Sequence, residues 1–383
     1  MTSYKHLFQR SLAAAPDRLH FAAHSHHLWP DASWIGHQAA WDDAARLADR
    51  KWDRVMGEIW PAAQRHVAAE LHLPDPASIV FAGNTHDLIV RLVSARAERP
   101  LRVLASSGEF HSFRRQAQRW IESGRITLDA VPTGPDFDAR FIEAARRGDH
   151  DLIFVSQVMF ETGAVFTGLA ELAALARPDG PWVVIDGYHG FMAIESDLSA
   201  VADRVFYTAG GYKYAMAGEG VAFLHCPPGF GPRPEFTGWY AEFEGLEAPP
   251  GRIGYADDAR RFMGSTFDPS GLYRFVAVRD MLADTGLSTG AINAHVAPLR
   301  ARLIAALDET ELAGATLLNP GGAPHARFLA LRSPDAPAWK SRLMAQDIVT
   351  DVRGDVLRIG IGLYHDPRDV ERLRLALGNR GDA

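Results

Sequence analysis

The sequence predicts an α/β fold: a mixed, mostly parallel seven-stranded sheet in a large domain, with a smaller C-terminal α+β domain. Three observations predict it. Seven short β-rich runs recur between residues 78 and 225, most of them followed by a helical stretch. Runs such as "LIFV" (152–155) and "WVVI" (182–185) are apolar without alternation, the mark of strands covered on both faces. After residue 230 the texture changes to loops, a long helical stretch and a strand-rich tail.

Residues 31–73 carry apolar side chains at helical spacing, with Asp31 placed to cap the start. Pro61 is expected to separate two helices there. The strands follow: "SIVFAG" (78–83), "LRVLASS" (101–107), "RITLDAV" (125–131), "DLIFVSQV" (151–158), "WVVIDG" (182–187), "RVFYTA" (204–209) and "GVAFLH" (220–225). The last two lie close together across Gly-rich sequence, which reads as a hairpin and so puts one antiparallel strand in the sheet. "CPPGFGPRPEFTGWY" (226–240) and "EGLEAPPGR" (244–252) read as loops, and residues 270–312 as helix. "ARFLALR" (326–332), "IVTDVRGDVLRIGIG" (348–362) and "DPRDVERLRLALG" (366–378) close the chain in a βαββα-like order. The expected division is an N-terminal segment, 1–30, lining the site; a large domain, 31–268; and a small domain, 269–383.

Composition narrows the function. The 383 residues are 47% hydrophobic and 23% charged, with net charge −7, ordinary for a globular enzyme. Arginines are interleaved with acids and form no basic stripe, so no nucleic-acid partner is expected. No window approaches the length of an apolar membrane span, and the N-terminus has no continuous apolar core of a secretory signal. With a single cysteine, Cys226, no internal disulfide can form. A cytoplasmic protein is expected.

In open α/β sheets, ligands bind beyond the carboxyl ends of the strands. Gly83-Asn84-Thr85 follows "SIVF" and opens a helix, a natural cradle for a phosphate. Phe110 follows "LRVLASS" and offers a flat face. Asp186 ends "WVVI", with His189 three residues on. Lys213 lies between two apolar runs, where a lysine is rarely buried unless paired or chemically used. Burial lowers an ammonium pKa and makes the amine a good imine former. Taken singly, each has an ordinary reading: a helix cap, a core ring, a surface lysine. Together they match a flat phosphorylated aromatic aldehyde such as pyridoxal 5′-phosphate. One strand–helix–strand unit between Asp186 and Lys213 would let both reach one cleft.

"DGYHGF…DLSAVADRVFYTAGGYKYAMAGEGVAFL" resembles the aminotransferase class V group of fold-type I pyridoxal-phosphate enzymes, most closely its kynureninase branch. The likeness runs from about residue 20 to the C-terminus. It implies that Lys213 is the Schiff-base lysine, that Tyr212 bonds the phosphate and relays a proton, and that Asp186 pairs with the ring nitrogen. It places His189 near the phenolic oxygen, Asn84 and Thr85 on the phosphate, and Phe110 on the ring face. Trp239, in "TGWY", matches a phosphate-contacting motif; Thr266, in "GSTFDP", matches a segment that reaches the phosphate across a dimer interface. Arg358 matches the arginine that clamps the substrate carboxylate, a task its fork suits. Departures fall at Phe113, where kynureninases carry an aspartate, in "GSTFDP", which lacks their asparagine, and at the entrance segment "AHSHHLWP" (23–30).

That segment lines the substrate entrance by the same likeness, with Ser25 and His26 as polar contacts. Read as extended chain, it turns His24 and His26 one way and His27 the other, without the ligand count or spacing of a metal site; no metal is expected. The implied function is action on a small amino acid by a homodimer with shared sites. The first reading is kynureninase-like hydrolytic cleavage, with transamination or epimerisation as alternatives. A non-catalytic cofactor-binding regulator and a histidine-dependent metal hydrolase stand as readings of other classes. Cysteine desulfuration is disfavoured because Cys226 ends a strand.

Overall fold

The computed structural model describes residues 2–245, 251, 253–319 and 325–378. "EGLEAPPGR" thus lies largely outside the described residues. The helices are α1 (Gln9–Ala13), α2 (Asp31–Leu47), α3 (Lys51–Arg54), α4 (Trp60–Leu71), α5 (Thr85–Ser94), α6 (His111–Glu122), α7 (Phe137–Arg147), α8 (Leu169–Ala173), α9 (Ser270–Asp284), α10 (Thr289–Ala306), α11 (Ala336–Ala345) and α12 (Pro367–Ala376). The strands are β1 (Leu19–His20), β2 (Ile79–Ala82), β3 (Leu101–Ser106), β4 (Ile126–Val131), β5 (Leu152–Ser156), β6 (Trp182–Asp186), β7 (Val205–Gly210), β8 (Ala222–His225), β9 (Thr316–Leu317), β10 (Phe328–Arg332), β11 (Ile348–Val349), β12 (Asp351–Arg353) and β13 (Val356–Gly360).

All seven predicted strands join one sheet, in the order β2-β8-β7-β6-β5-β3-β4. β7 and β2 both pair antiparallel with β8, so β8 alone runs against the other six. The hairpin expected from the spacing of β7 and β8 is therefore present. Every residue of β5, β7 and β8 is buried, which is why these strands read as continuous apolar runs. The connection from β6 to β7 is a series of turns rather than the expected helix; its own N–H groups close them, as in Phe191 N–H to Gly187 O (2.7 Å).

The tail folds as the sequence suggested. β12, β13, β10 and β9 form a four-stranded antiparallel sheet, and α12 is closed by a reciprocal cap between Asp366 and Asp369. The N-terminal helical region differs. α2 ends at Ala48, whose φ of 51° breaks the helix, whereas Pro61 sits in the first turn of α4 directly after a π-helical turn, Val55–Ile59. A first-turn proline has no intrahelical N–H bond to lose. The predicted helix 270–312 is two, α9 and α10, parted at Gly286 (φ 68°). The N-terminal segment is fastened to β13, since Gly360 N–H donates to Phe21 O (2.7 Å) and Ala22 bridges Gly360. The segment then meets the residues after β7, where His27 N–H donates to Tyr212 O (3.0 Å).

Candidate active site

The carboxyl ends of β2, β3, β5, β6 and β7 open on one cavity of about 430 Å³, within the range of small-ligand sites. Asn84, Thr85, Phe110, Asp186, His189, Tyr212 and Lys213 all line it. Each owes its place to the segment that follows a strand. Asn84 caps α5, accepting from Asp87 N–H at its Oδ1 (2.9 Å), so the plain cap reading holds while the helix start still faces the cavity. Phe110 precedes α6 and meets Phe160 edge-on at 5.5 Å. Asp186 ends β6 and accepts from Tyr188 N–H at Oδ1 (2.9 Å).

Lys213 is 4% exposed. Its Nζ lies among three rings, 4.8 Å from Tyr188, 5.4 Å from Phe110 and 5.7 Å from Tyr212, and has no carboxylate within ion-pair distance among the described residues. Burial pushes its ammonium well below the ordinary lysine value, and the Asp186 charge opposes that shift without cancelling it. The same burial raises the Asp186 carboxyl, with the Tyr188 N–H bond and Lys213 acting the other way. His189 is held well below its ordinary value by burial, then by Lys213 and Arg358, and its buried Nδ1 has no partner. Burial, followed by Asp186, raises the Tyr212 phenol.

Arg358, 2% exposed, lies beside this cavity rather than in its lining. Its guanidinium donates to Phe160 O and to Asp351 Oδ2, and its buried Nε is unpartnered. Trp239 and Thr266 are not brought to Lys213 within one chain. Trp239 is partly exposed and packs on Tyr240 (4.1 Å). Thr266 lines a second cavity, of about 600 Å³, that shares Gly83 and His86 with the first. Ser25 and His26 also lie outside the lining. The segment is a turn, not extended: Ser25 and His26 N–H both donate to Ala22 O (2.9 and 3.0 Å). His26 is therefore exposed, stacked on Tyr212 at 4.9 Å, while His24 and His27 are buried.

Sequence reasoning missed three groups. Ser156, at the end of β5, faces the cavity directly across from Asp186 in the sheet register. Glu109, fully buried, accepts from Ser106 Oγ (2.5 Å), Ser156 Oγ (2.5 Å) and Ser156 N–H (3.1 Å). Tyr188 forms one wall of the lysine's aromatic surround. Glu109 sat one residue before a residue already singled out, but nothing in the sequence indicates that its side chain turns inward. Phe113, a departure from the kynureninase pattern, stacks on Phe154 at 3.9 Å and also lines the cavity.

The sequence profile of the Aminotransferase class-V family matches residues 51–325. The isopenicillin N epimerase of Streptomyces clavuligerus is 29% identical over 360 residues, covering 87% of this chain and 88% of that protein. A probable cysteine desulfurase of Pseudomonas aeruginosa is 28% identical over 350 residues, covering 82% and 81%. Among solved structures, a C-DES mutant with glycine covalently linked to its pyridoxal-phosphate cofactor aligns with a TM-score of 0.83, at 17% identity, over 99% of this chain and 100% of that one. These relatives are an epimerase and a desulfurase, and the expected kinship to the kynureninase branch in particular finds no support in them.

Proposed function

The chain belongs to the aminotransferase class-V family of fold-type I, pyridoxal 5′-phosphate-dependent enzymes, and from that premise we propose that it moves the Cα proton of an amino-acid substrate with Lys213 as the base. The observation that carries this reading is the buried Lys213 amine, without an ion pair among the described residues, facing a cavity it shares with Asp186 and the start of α5. The residues present fit the cofactor. A carboxylate at the cavity floor suits a protonated ring nitrogen, a helix start suits a phosphate, and the unpartnered His189 Nδ1 suits an oxygen substituent of the ring.

Bound there, pyridoxal phosphate supplies an electron sink that stabilises negative charge at the substrate's Cα. Lys213, with its pKa depressed by burial, is neutral in a useful share of molecules near neutral pH and can take the proton. Asp186 would hold a proton on the ring nitrogen. Asn84 and Thr85, at the start of α5, would take the phosphate charge. Phe110 would cover a ring face and exclude water, and Tyr212 would serve beside the lysine as a second proton carrier. Arg358 takes the substrate's carboxylate.

Delivery of a proton to the opposite face of Cα would give epimerisation; transfer of the amino group to the cofactor, with water supplying the oxygen of the oxo acid, would give transamination. Epimerisation is the favoured outcome, supported by the relative of that activity, which matches along 87% of this chain. Desulfuration through a protein thiol is not favoured. Cys226 is buried at the end of β8 and its thiol is pushed up to about 12, so it is no nucleophile.

The test is borohydride reduction of the purified protein followed by peptide mapping, with solvent-deuterium exchange at Cα across a panel of amino acids. The cofactor should be fixed on Lys213, and Lys213→Ala should lose both the label and the exchange. Exchange that persists in Lys213→Ala overturns the reading. Inversion of the exchanged amino acid, read by polarimetry, separates epimerisation from transamination.

A further inference from the structure

We propose that His24 binds the substrate's carboxylate together with Arg358, whose guanidinium Asp351 orients for it. This deepens the amino-acid reading above and rests on it.

Of the three histidines in "HSHH", His24 alone is both wholly buried and unbonded at either ring nitrogen. Leaving a buried donor or acceptor unpaired is costly, and a ligand would remove that cost. The fold has cleared a place for this ring. A Cβ at Gly360 would fall 2.1 Å from His24 Nδ1. Gly360 and Arg358 are two residues apart on β13, so they share a face of the strand. The imidazole thus occupies the side-chain position next to the Arg358 guanidinium. It is fixed there by the stitch of Phe21 and Ala22 to Gly360 and by stacking on Phe328 (4.7 Å, 22° between planes), the residue paired with Gly360 across the sheet.

Asp351 anchors Arg358 and stands near His24 without bonding it. It is the cross-strand partner of Arg358; its Oδ2 accepts from that guanidinium and lies 3.8 Å from His24 Nε2, while its Oδ1 pairs with Arg353 (3.0 Å). At 3.8 Å the imidazole is beyond hydrogen-bond reach of Asp351, so its N–H is left for another acceptor. With its two terminal nitrogens anchored on Phe160 O and Asp351, Arg358 keeps a free Nε–H. Burial, then the Arg358 and Lys213 charges, keeps the His24 ring neutral, so it brings a donor without adding positive charge. Two N–H groups on different elements, that of Arg358 oriented by Asp351, form a seat for a second carboxylate.

The experiment uses the cofactor-loaded enzyme and the L-amino acid, from the standard twenty, that most shifts its visible absorption band; the titration is repeated with the corresponding decarboxylated amine. His24→Phe keeps the ring stack and removes the donor. Its Kd for the amino acid should rise about tenfold or more, the worth of one hydrogen bond to a charged group, while the Kd for the amine stays unchanged. His24→Gln, which returns an N–H near the Nε2 position, should recover most of the loss. A His24→Phe enzyme that keeps its band and binds the amino acid as tightly as wild type overturns the proposal alone, as does an equal loss for acid and amine. A wild-type enzyme with no visible band, or a band that none of the twenty shifts, overturns the amino-acid reading and this proposal with it.

Discussion

Glu109 shows how a single side chain behind the cavity can matter. It lies under Ser156, opposite Asp186, so a buried carboxyl and a half-buried one sit close together. Burial raises Glu109, the serine bonds pull it down and Asp186 pushes it up, and the net result is a pKa of about 7. The unfolded chain ionises this carboxyl near 4.5 and the folded chain only near 7. Between those values the folded state binds more protons, so the Glu109 contribution to stability is present in acid and is lost as pH rises through 7. Glu109→Gln cannot ionise and keeps an acceptor for the serines. Relative to wild type, its stability should therefore improve between pH 5 and pH 8, by up to roughly 3 kcal/mol, measured by urea denaturation at both values. An unchanged difference would mean that Glu109 is ionised throughout. Lys213 and Asp186 were legible in the sequence because each interrupts or ends an apolar run. Glu109 and His24 were not: one depends on a side chain turned under a neighbouring strand, the other on a turn at Ala22 that buries one histidine and exposes the next but one.

At the scale of elements, pattern carried further than punctuation. The central strands could be read because burial on both faces imposes unbroken apolar runs, and β8 could be set antiparallel because too little chain separates it from β7 for a crossover. The helix boundaries were misread where backbone geometry decided them: Ala48 breaks the N-terminal helix through a positive φ, while Pro61 is absorbed by a first turn. The crossing of α2 and α9 depends on a glycine. A Cβ at Gly36 would stand 2.5 Å from Tyr273 O and 2.9 Å from Arg274 Cα, both backbone atoms that cannot yield without moving α9. Gly36→Ala should destabilise the protein by roughly 1–3 kcal/mol. Gly57→Ala, in the π-helical turn with nothing within 4 Å of the added carbon, should be neutral or gain up to about 1 kcal/mol. Thermal unfolding of the two variants checks the contrast; equal effects would show that the close crossing is not what holds Gly36 in place.

The whole molecule raises the question of where Thr266 acts. In one chain it lines a cavity behind the Gly83 turn rather than the one that holds Lys213. The surface also exposes large apolar side chains: Trp34, Ile35 and Trp41 on α2, and Phe236, Trp239 and Phe243 near the Thr266 segment. Apolar exposure of this kind is expected where a second copy docks, and a two-fold dimer would let each chain serve the other's site. On that arrangement Thr266→Ala should weaken cofactor binding by about tenfold, the loss of one bond to a charged group. Mixed dimers then separate action within a chain from action across the interface. When a Lys213→Ala subunit pairs with a Thr266→Ala subunit, one site carries both defects. The other site combines the intact Lys213 of the Thr266→Ala chain with the intact Thr266 of its partner. If Thr266 serves its partner, co-expressed and doubly tagged mixed dimers should bind one cofactor per dimer with wild-type affinity, read from the visible band. If Thr266 serves its own chain, the only lysine-bearing site still has the Thr266→Ala defect, and the mixed dimer should bind no more tightly than the Thr266→Ala parent.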